Sequence, residues 1–289
     1  MRMNNMKKGC ALIFLTVLAT QSVHAGSRQL GTGAVTQIEG ASGSGLVPWA
    51  TIAGYGESDE TDFVGALTRV DTGDYRFDMQ GVAVGWRNRV EISFAKQELD
   101  LITLGPAIGL PGATLNQDVI GAKVRLGGNL VYSKMPQIAF GVQYKKNTDF
   151  LIPSVVGAKD DKGIDYYLSA TKLFLGKPGG FNGFATMTLR STEAIETGLL
   201  GFGGDNGSGR DVNLETSFGF FVNKSLAFGV DFRQKQRQLN FAKESHWKDV
   251  FMAWVPNRHV SLVLAYADLG NVATLTNQKG WYVSVNGGF

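Results

Sequence analysis

The sequence predicts an all-β chain: an antiparallel transmembrane β-barrel of about twelve strands, fourteen being the alternative count, behind an N-terminal signal peptide. Three observations predict it. The chain opens on a secretory leader, runs through segments of about ten residues that alternate apolar with polar, and closes on an aromatic-rimmed strand ending in Phe289.

The leader is read from charge and length. Arg2, Lys7 and Lys8 precede the apolar run 11–19, and Val23-His24-Ala25 places small residues at the cleavage positions. The run is shorter than the roughly 20 residues a spanning helix needs. Residues 1–25 are therefore a signal peptide, 26–61 an N-terminal segment and 62–289 the barrel. Cleavage removes Cys10, which lies before the apolar core and so is not a lipidation site; the remaining chain holds no cysteine and no disulfide supports it. It also removes three of 28 basic residues and none of 25 acidic ones, so the mature chain is formally neutral and carries no electrostatic signature of nucleic-acid binding.

Glycine is abundant, with 38 in 289 residues, and mean hydropathy is near zero. That composition is too apolar and aromatic for disorder and too polar for a bundle of spanning helices. A closed barrel reconciles membrane residence with such a flat profile, because the two faces of each strand average out.

The C-terminal stretch GWYVSVNGGF shows the pattern most plainly. Trp281, Val283, Val285 and Gly287 share one face, and Tyr282, Ser284, Asn286 and Gly288 the other. Trp281, Val283, Val285 and Phe289 form the expected membrane-insertion signal for the barrel-assembly machinery. Gly287 departs from it, since an aromatic usually stands two positions before the last.

Further back, the same period recurs. PQIAFGVQYKKN sets Ile138, Phe140, Val142 and Tyr144 against Gln137, Gln143 and Lys145. FNGFATMTLR sets Phe181, Met187 and Leu189 against Asn182, Thr186, Thr188 and Arg190. DVNLETSFGFFV sets Val212, Leu214, Phe218 and Phe220 against Asp211, Asn213, Glu215 and Ser217. LAFGVDFRQK sets Leu226, Phe228, Val230 and Phe232 against Asp231, Arg233 and Lys235, and Val260, Leu262, Leu264 and Tyr266 face outward in the hairpin 247–269. In DYRFDMQGVAVGW the apolar register of Tyr75, Phe77 and Met79 slips to that of Val82, Val84 and Trp86, which predicts a bulge at Gly81. In GIDYYLSATKLFL neither register is wholly apolar, and its facing stays open.

Short connections (87–89, 127–136, 176–180, 223–225, 256–259) alternate with long ones (102–116, 149–162, 191–209, 236–245, 270–279), as periplasmic turns alternate with external loops. Two further candidate strands, 33–39 and 47–56, would raise the count to fourteen. The alternatives for residues 26–61 are a periplasmic or a lumen-filling segment.

The stretches QIEGASGSGLVPWATIAGYG, VIGAKVRL, PQIAFGVQYKKN, SATKLFL, GLLGFGG, PNRHVSLVLAYADLGN and QKGWYVSVNGGF together resemble an uncharacterised family of proteobacterial outer-membrane proteins, domain of unknown function 3034. The resemblance spans nearly all of residues 30–289. It implies a barrel fold and an outer-membrane address, and brings no substrate or catalytic residue with it.

A barrel of twelve tilted strands has a backbone radius of roughly 12 Å, leaving a narrow lumen once side chains are added. The lumen-lining candidates are Glu91, Lys123, Arg125, Lys145, Arg190, Glu215, Asp231, Arg233 and Lys235. Charges of both signs can orient small polar solutes at a constriction, or neutralise one another in a closed interior. The expected function is a narrow channel for small polar solutes, not an enzyme, with outer-membrane lipid and small solutes as partners, no nucleic acid and no cofactor. Two alternatives accompany it: a closed structural barrel of the envelope, and a barrel enzyme acting on lipid. For the enzyme, His259 and Ser261 have the spacing of a base and nucleophile on one strand face, though no third orienting residue accompanies them. No metal site is expected. Asp205, Asn206 and Asp211 in GGDNGSGRD could gather calcium, but such a run more often forms an external loop.

Overall fold

The computed structural model describes residues 35–54, 60–206, 209–257 and 259–288. Twelve strands form the wall: β1 (Thr61–Asp71), β2 (Arg76–Trp86), β3 (Val90–Asp100), β4 (Thr114–Gly127), β5 (Gln137–Asn147), β6 (Lys162–Phe174), β7 (Asn182–Thr192), β8 (Asp211–Phe221), β9 (Leu226–Arg233), β10 (Trp247–Asn257), β11 (Val260–Val272) and β12 (Leu275–Gly288). Each pairs antiparallel with its sequence neighbours, and β1 pairs with β12, from Val64 opposite Gly288 to Asp71 opposite Trp281. Closure removes both sheet edges, so every wall strand has ladder partners on two sides.

Outward residues make an apolar belt. Phe63, Val82, Phe94, Ile120, Phe140, Leu168, Met187, Phe218, Val230, Leu264 and Val283 are all exposed on strands distributed around the whole barrel. Tyr144, Tyr166, Tyr266 and Trp281 flank the belt toward the long loops, and Trp86, Phe181 and Trp254 toward the short turns. A soluble surface does not expose so much contiguous apolar area, whereas hydrocarbon favours it and aromatics suit its two interfaces. The chain is a transmembrane β-barrel. No described helix is long and apolar enough to cross a membrane.

Two local expectations change, and one open facing is settled. Gly81 is not a bulge: β2 pairs with β1 and β3 in unbroken register from Arg76 to Trp86. Phe77 and Met79 face inward instead, because the lumen at that height is apolar, and Asp78 on the outer face is paired with Arg69 at 2.6 Å. The stretch 270–279 is no loop. β11 and β12 continue through it as a hairpin with register shifts at 268–272, closing on Ala273 and Thr274. β6 settles its facing with Ile164, Tyr166 and Leu168 outward and Asp165, Tyr167, Ser169 and Thr171 inward.

The described parts of the two extra candidate strands stay out of the wall. Residues 35–54 are buried throughout, and their own pairing is limited to isolated bridges, Thr36 with Ser42 and Gly43 with Pro48. Thr36 N–H donates to Asn286 Oδ1 at 3.0 Å and Ala53 N–H to Glu91 Oε2 at 2.8 Å, so both ends of the segment lie toward the short turns. Its apex reaches toward the long loops, where Ile38 O accepts from Gln97 Nε2 at 2.6 Å. The reversal at the apex is closed by Gly40 N–H to Gln37 O at 2.9 Å, with Gly40 at φ 91°, a conformation that suits glycine.

Apolar packing holds the segment at two heights. Trp49 meets Phe184 at 4.8 Å between ring centroids, and Phe184 continues to Phe221 and Phe251. Nearer the long loops, Ile38 and Leu46 lie beside Tyr75, Phe77, Leu99 and Trp247 around a cavity of 50 Å³. Above this, residues 193–204 fold inward and bury Ile195, Leu199, Leu200 and Phe202. Thr197 O accepts from Lys145 and Leu199 O from Asn147.

Candidate functional site

The inward positions of neighbouring strands stand at matched heights, so the ladder decides which charges meet. Glu91 on β3 is opposite Lys123 on β4, and their side chains pair at 3.0 Å. Both also hold the backbone of the inner segment. Glu91 Oε1 accepts from Ser42 N–H at 3.1 Å, and Lys123 Nζ donates to Ser42 O at 3.1 Å and Thr51 O at 2.7 Å.

A second cluster lies nearer the long loops and centres on Glu39. Its carboxylate is gripped by Lys145, by Arg190 at 3.1 Å and by Arg233 at 2.8 Å. Arg190 also binds Glu215 at 2.6 Å and Asp165 at 3.3 Å, Lys145 binds Asp165 at 2.7 Å, and Arg233 binds Glu215 at 3.2 Å. Three cations thus face three carboxylates, all buried. Such a set is tolerable in a low-dielectric interior because each charge is paired and hydrogen-bonded. Arg190 completes its fork on Gln143 Oε1 at 2.6 Å and lies over the Tyr167 ring.

Neutral donors hold the rest of the segment. Ala50 N–H donates to Thr171 Oγ1 at 2.9 Å, Gln137 donates to Ala50 O at 2.7 Å, and Thr188 donates to Pro48 O at 2.8 Å. Asp231 accepts from Leu46 N–H at 3.1 Å while Arg233 donates to Leu46 O at 3.3 Å.

Of the sequence-predicted lumen set, Glu91, Lys123, Lys145, Arg190, Glu215, Asp231 and Arg233 come together around residues 35–54. Arg125 stands apart, half-buried near a short turn and donating to Gly128 O at 2.9 Å. Asp211 is exposed at the rim. Lys235 lies beyond the end of β9 and joins a loop cluster with Glu196 and with Glu244 at 3.1 Å, its ammonium 4.5 Å from the centroid of Trp247. In the insertion signal, Trp281, Val283 and Val285 face outward on β12, and Phe289 lies outside the described residues.

Sequence reasoning missed Glu39, Asp165 and Asp249, and the inward aromatics Phe77, Phe184 and Phe251. A signal was present: the lumen candidates hold twice as many basic as acidic residues, and a confined excess of that kind calls for carboxylates from elsewhere in the chain.

The lipid-enzyme arrangement has the wrong facing. Ser261 is fully buried on the lumen side, opposite Asn286, whereas lipid lies outside the wall. His259 Nδ1 lies 3.0 Å from Gly288 O, at the end of β12. Between β7 and β8, Asp205 accepts from Asn240 N–H at 2.9 Å and stitches two of the long loops together.

Those loops carry a pH dependence. Burial, reinforced by neighbouring Glu196 and opposed by Lys235, pushes the Glu244 carboxyl up to about 7. A raised acid binds its proton more tightly in the folded loop, so the packing of 234–246 is strongest in mild acid and loosens as pH rises through about 7. Amide exchange of this loop should accelerate across that interval, and Glu244→Gln should flatten the dependence.

Solved structures that the chain resembles include outer-membrane porins. The chain matches the NanC porin at 10% identity and a TM-score of 0.45, covering 79% of this chain and 98% of that one. It matches the KdgM porin at 8% and 0.49, covering 79% and 99%, and the outer membrane protein Omp33 of Acinetobacter baumannii at 10% and 0.42, covering 79% and 96%. No curated protein matches the sequence. Residues 32–286 match the family described as Protein of unknown function (DUF3034), and the chain belongs to that family.

Proposed function

We propose that the protein is a channel of the bacterial outer membrane for small polar solutes, and that its resting lumen is closed by its own residues 35–54. The observation that carries this reading is the chemistry of the contact between segment and wall. The wall grips the segment through charged, amide and hydroxyl side chains: Lys123, Glu91, Thr171, Thr188, Gln137 and the trio around Glu39. A barrel built only to anchor would be held at least as well by apolar side chains, since buried ion pairs contribute little net stability. A polar lining is what a hydrated passage needs once the segment has left.

With the segment displaced, Lys145, Arg190 and Arg233 would face Asp165 and Glu215 across water. The facing charges of opposite sign would then give the lumen a transverse field that orients small polar or zwitterionic solutes. The address rests on the apolar belt and closed wall, and insertion on the assembly machinery reading β12.

Planar-bilayer recording tests the proposal. The full mature chain should be silent apart from brief openings, and a chain lacking residues 35–54 should carry steady current. A deleted chain that folds and stays silent would sink the channel reading; equal steady current from both chains would sink the closure.

A further inference from the structure

One inner-face oxygen cluster lacks a counter-charge of its own. Ser217 on β8 is opposite Asp231 on β9, and Asp231 is opposite Asp249 on β10, so the three side chains stand in a row on neighbouring strands. Asp231 is 2% exposed and Asp249 4%. Asp231 uses one oxygen on Leu46 N–H, with the hydroxyls of Ser217 and Ser44 beside it. Its other oxygen and both oxygens of Asp249 accept no well-formed hydrogen bond, and the Ser217 hydroxyl has only Asp231 beside it. The adjacent base, Arg233, is committed to Glu39 and Glu215.

Two neighbouring carboxylates out of water cannot both stay ionised without compensation, so the row holds either a proton or a cation. Buried oxygens from two carboxylates and a neighbouring hydroxyl are hard donors, the type that calcium takes and that softer metals do not require. We propose that Asp231, Asp249 and Ser217 bind one calcium-class divalent cation against the inner segment, with water completing its coordination. Gly45 lets the segment backbone approach the row closely: an added Cβ would come 3.3 Å from Tyr282 Cζ and 3.6 Å from Asp249 Oδ2. The cation neutralises the wall where residues 45 and 46 press on it, and so helps to seat the segment. Two carboxylates make a sparse donor set, which favours reversible binding.

Terbium, a luminescent stand-in for calcium, tests the site on the full mature protein folded in detergent near neutral pH, because Tyr282 and Trp247 lie close enough to sensitise it. The expected result is saturable sensitised emission that calcium displaces, weakened about tenfold or more in Asp249→Asn. Emission that does not saturate, or that is unchanged in Asp249→Asn, would overturn the proposal and assign the row a shared proton. Heat-shifted migration on a gel confirms that each variant is folded. Should Asp249→Asn fail to fold, Ser217→Ala takes its place: a several-fold loss of terbium affinity supports the site and an unchanged affinity overturns it. Channel current is not read, so the outcome is independent of the transport reading.

Discussion

Arg190→Ala destabilises the folded barrel by about 3–5 kcal/mol, the usual cost of removing one partner from a buried ionic network. Arg190 is fully buried and holds Glu39, Asp165 and Glu215 at once, with Gln143 as a fourth acceptor. Its loss leaves three carboxylates sharing Lys145 and Arg233, and water reaches them only by disrupting the packing of the segment and of residues 193–204. Urea unfolding in detergent should show a midpoint lowered by about 1–3 M at ordinary denaturant sensitivity. The double variant Arg190→Met with Glu215→Leu should recover part of that loss, because replacing both members of a pair avoids the stranded charge. A single variant as stable as the wild type would mean that the network is already hydrated.

Glu39→Ala should act on the closure more than on the wall. Glu39 is the segment's charged contribution to the cluster, held by Lys145, Arg190 and Arg233, and every other member of the cluster belongs to a strand. Without it, the three cations keep Asp165 and Glu215 and can regain hydration if the segment leaves. A loss of about 3–5 kcal/mol from the docked state multiplies the open population by roughly a hundredfold or more. Brief openings in bilayer recordings should become long ones, and amide protection of residues 35–54 should fall while that of the strands stays. Glu39→Gln, which keeps hydrogen-bonding capacity, should fall between. Unchanged protection in Glu39→Ala would show that Trp49 and its aromatic neighbours hold the segment without help.

The wall was legible in the sequence because lipid and lumen impose opposite demands on alternate residues. Strands β5, β8 and β9 carry that contrast cleanly, and so do the outward faces of β11 and β12. Legibility failed where the inner face meets protein instead of water. Phe77 and Met79 on β2 mimic a register slip because the lumen there is filled by apolar side chains of the segment and loops. Phe184 looks misplaced in β7 until Trp49 is set against it. β6 mixes Tyr167 with Asp165 and Ser169 on one face for the same reason. Within the site, the bases were visible one by one, but Glu39 lies in a glycine- and serine-rich stretch whose periodicity carries no facing information. Charge imbalance among the candidates was the available clue.

A reversible tether between segment and wall tests the closure most directly. Ala50 N–H lies 2.9 Å from Thr171 Oγ1, which places Ala50→Cys and Thr171→Cys within reach of a disulfide in the mature chain, where no other cysteine is expected. Combined with Glu39→Ala, the oxidised protein should be silent in a planar bilayer, and current should appear when reductant is added and vanish on reoxidation. Current that flows undiminished through the oxidised, fully tethered protein would contradict the account, because the lumen would then conduct with its segment locked in place.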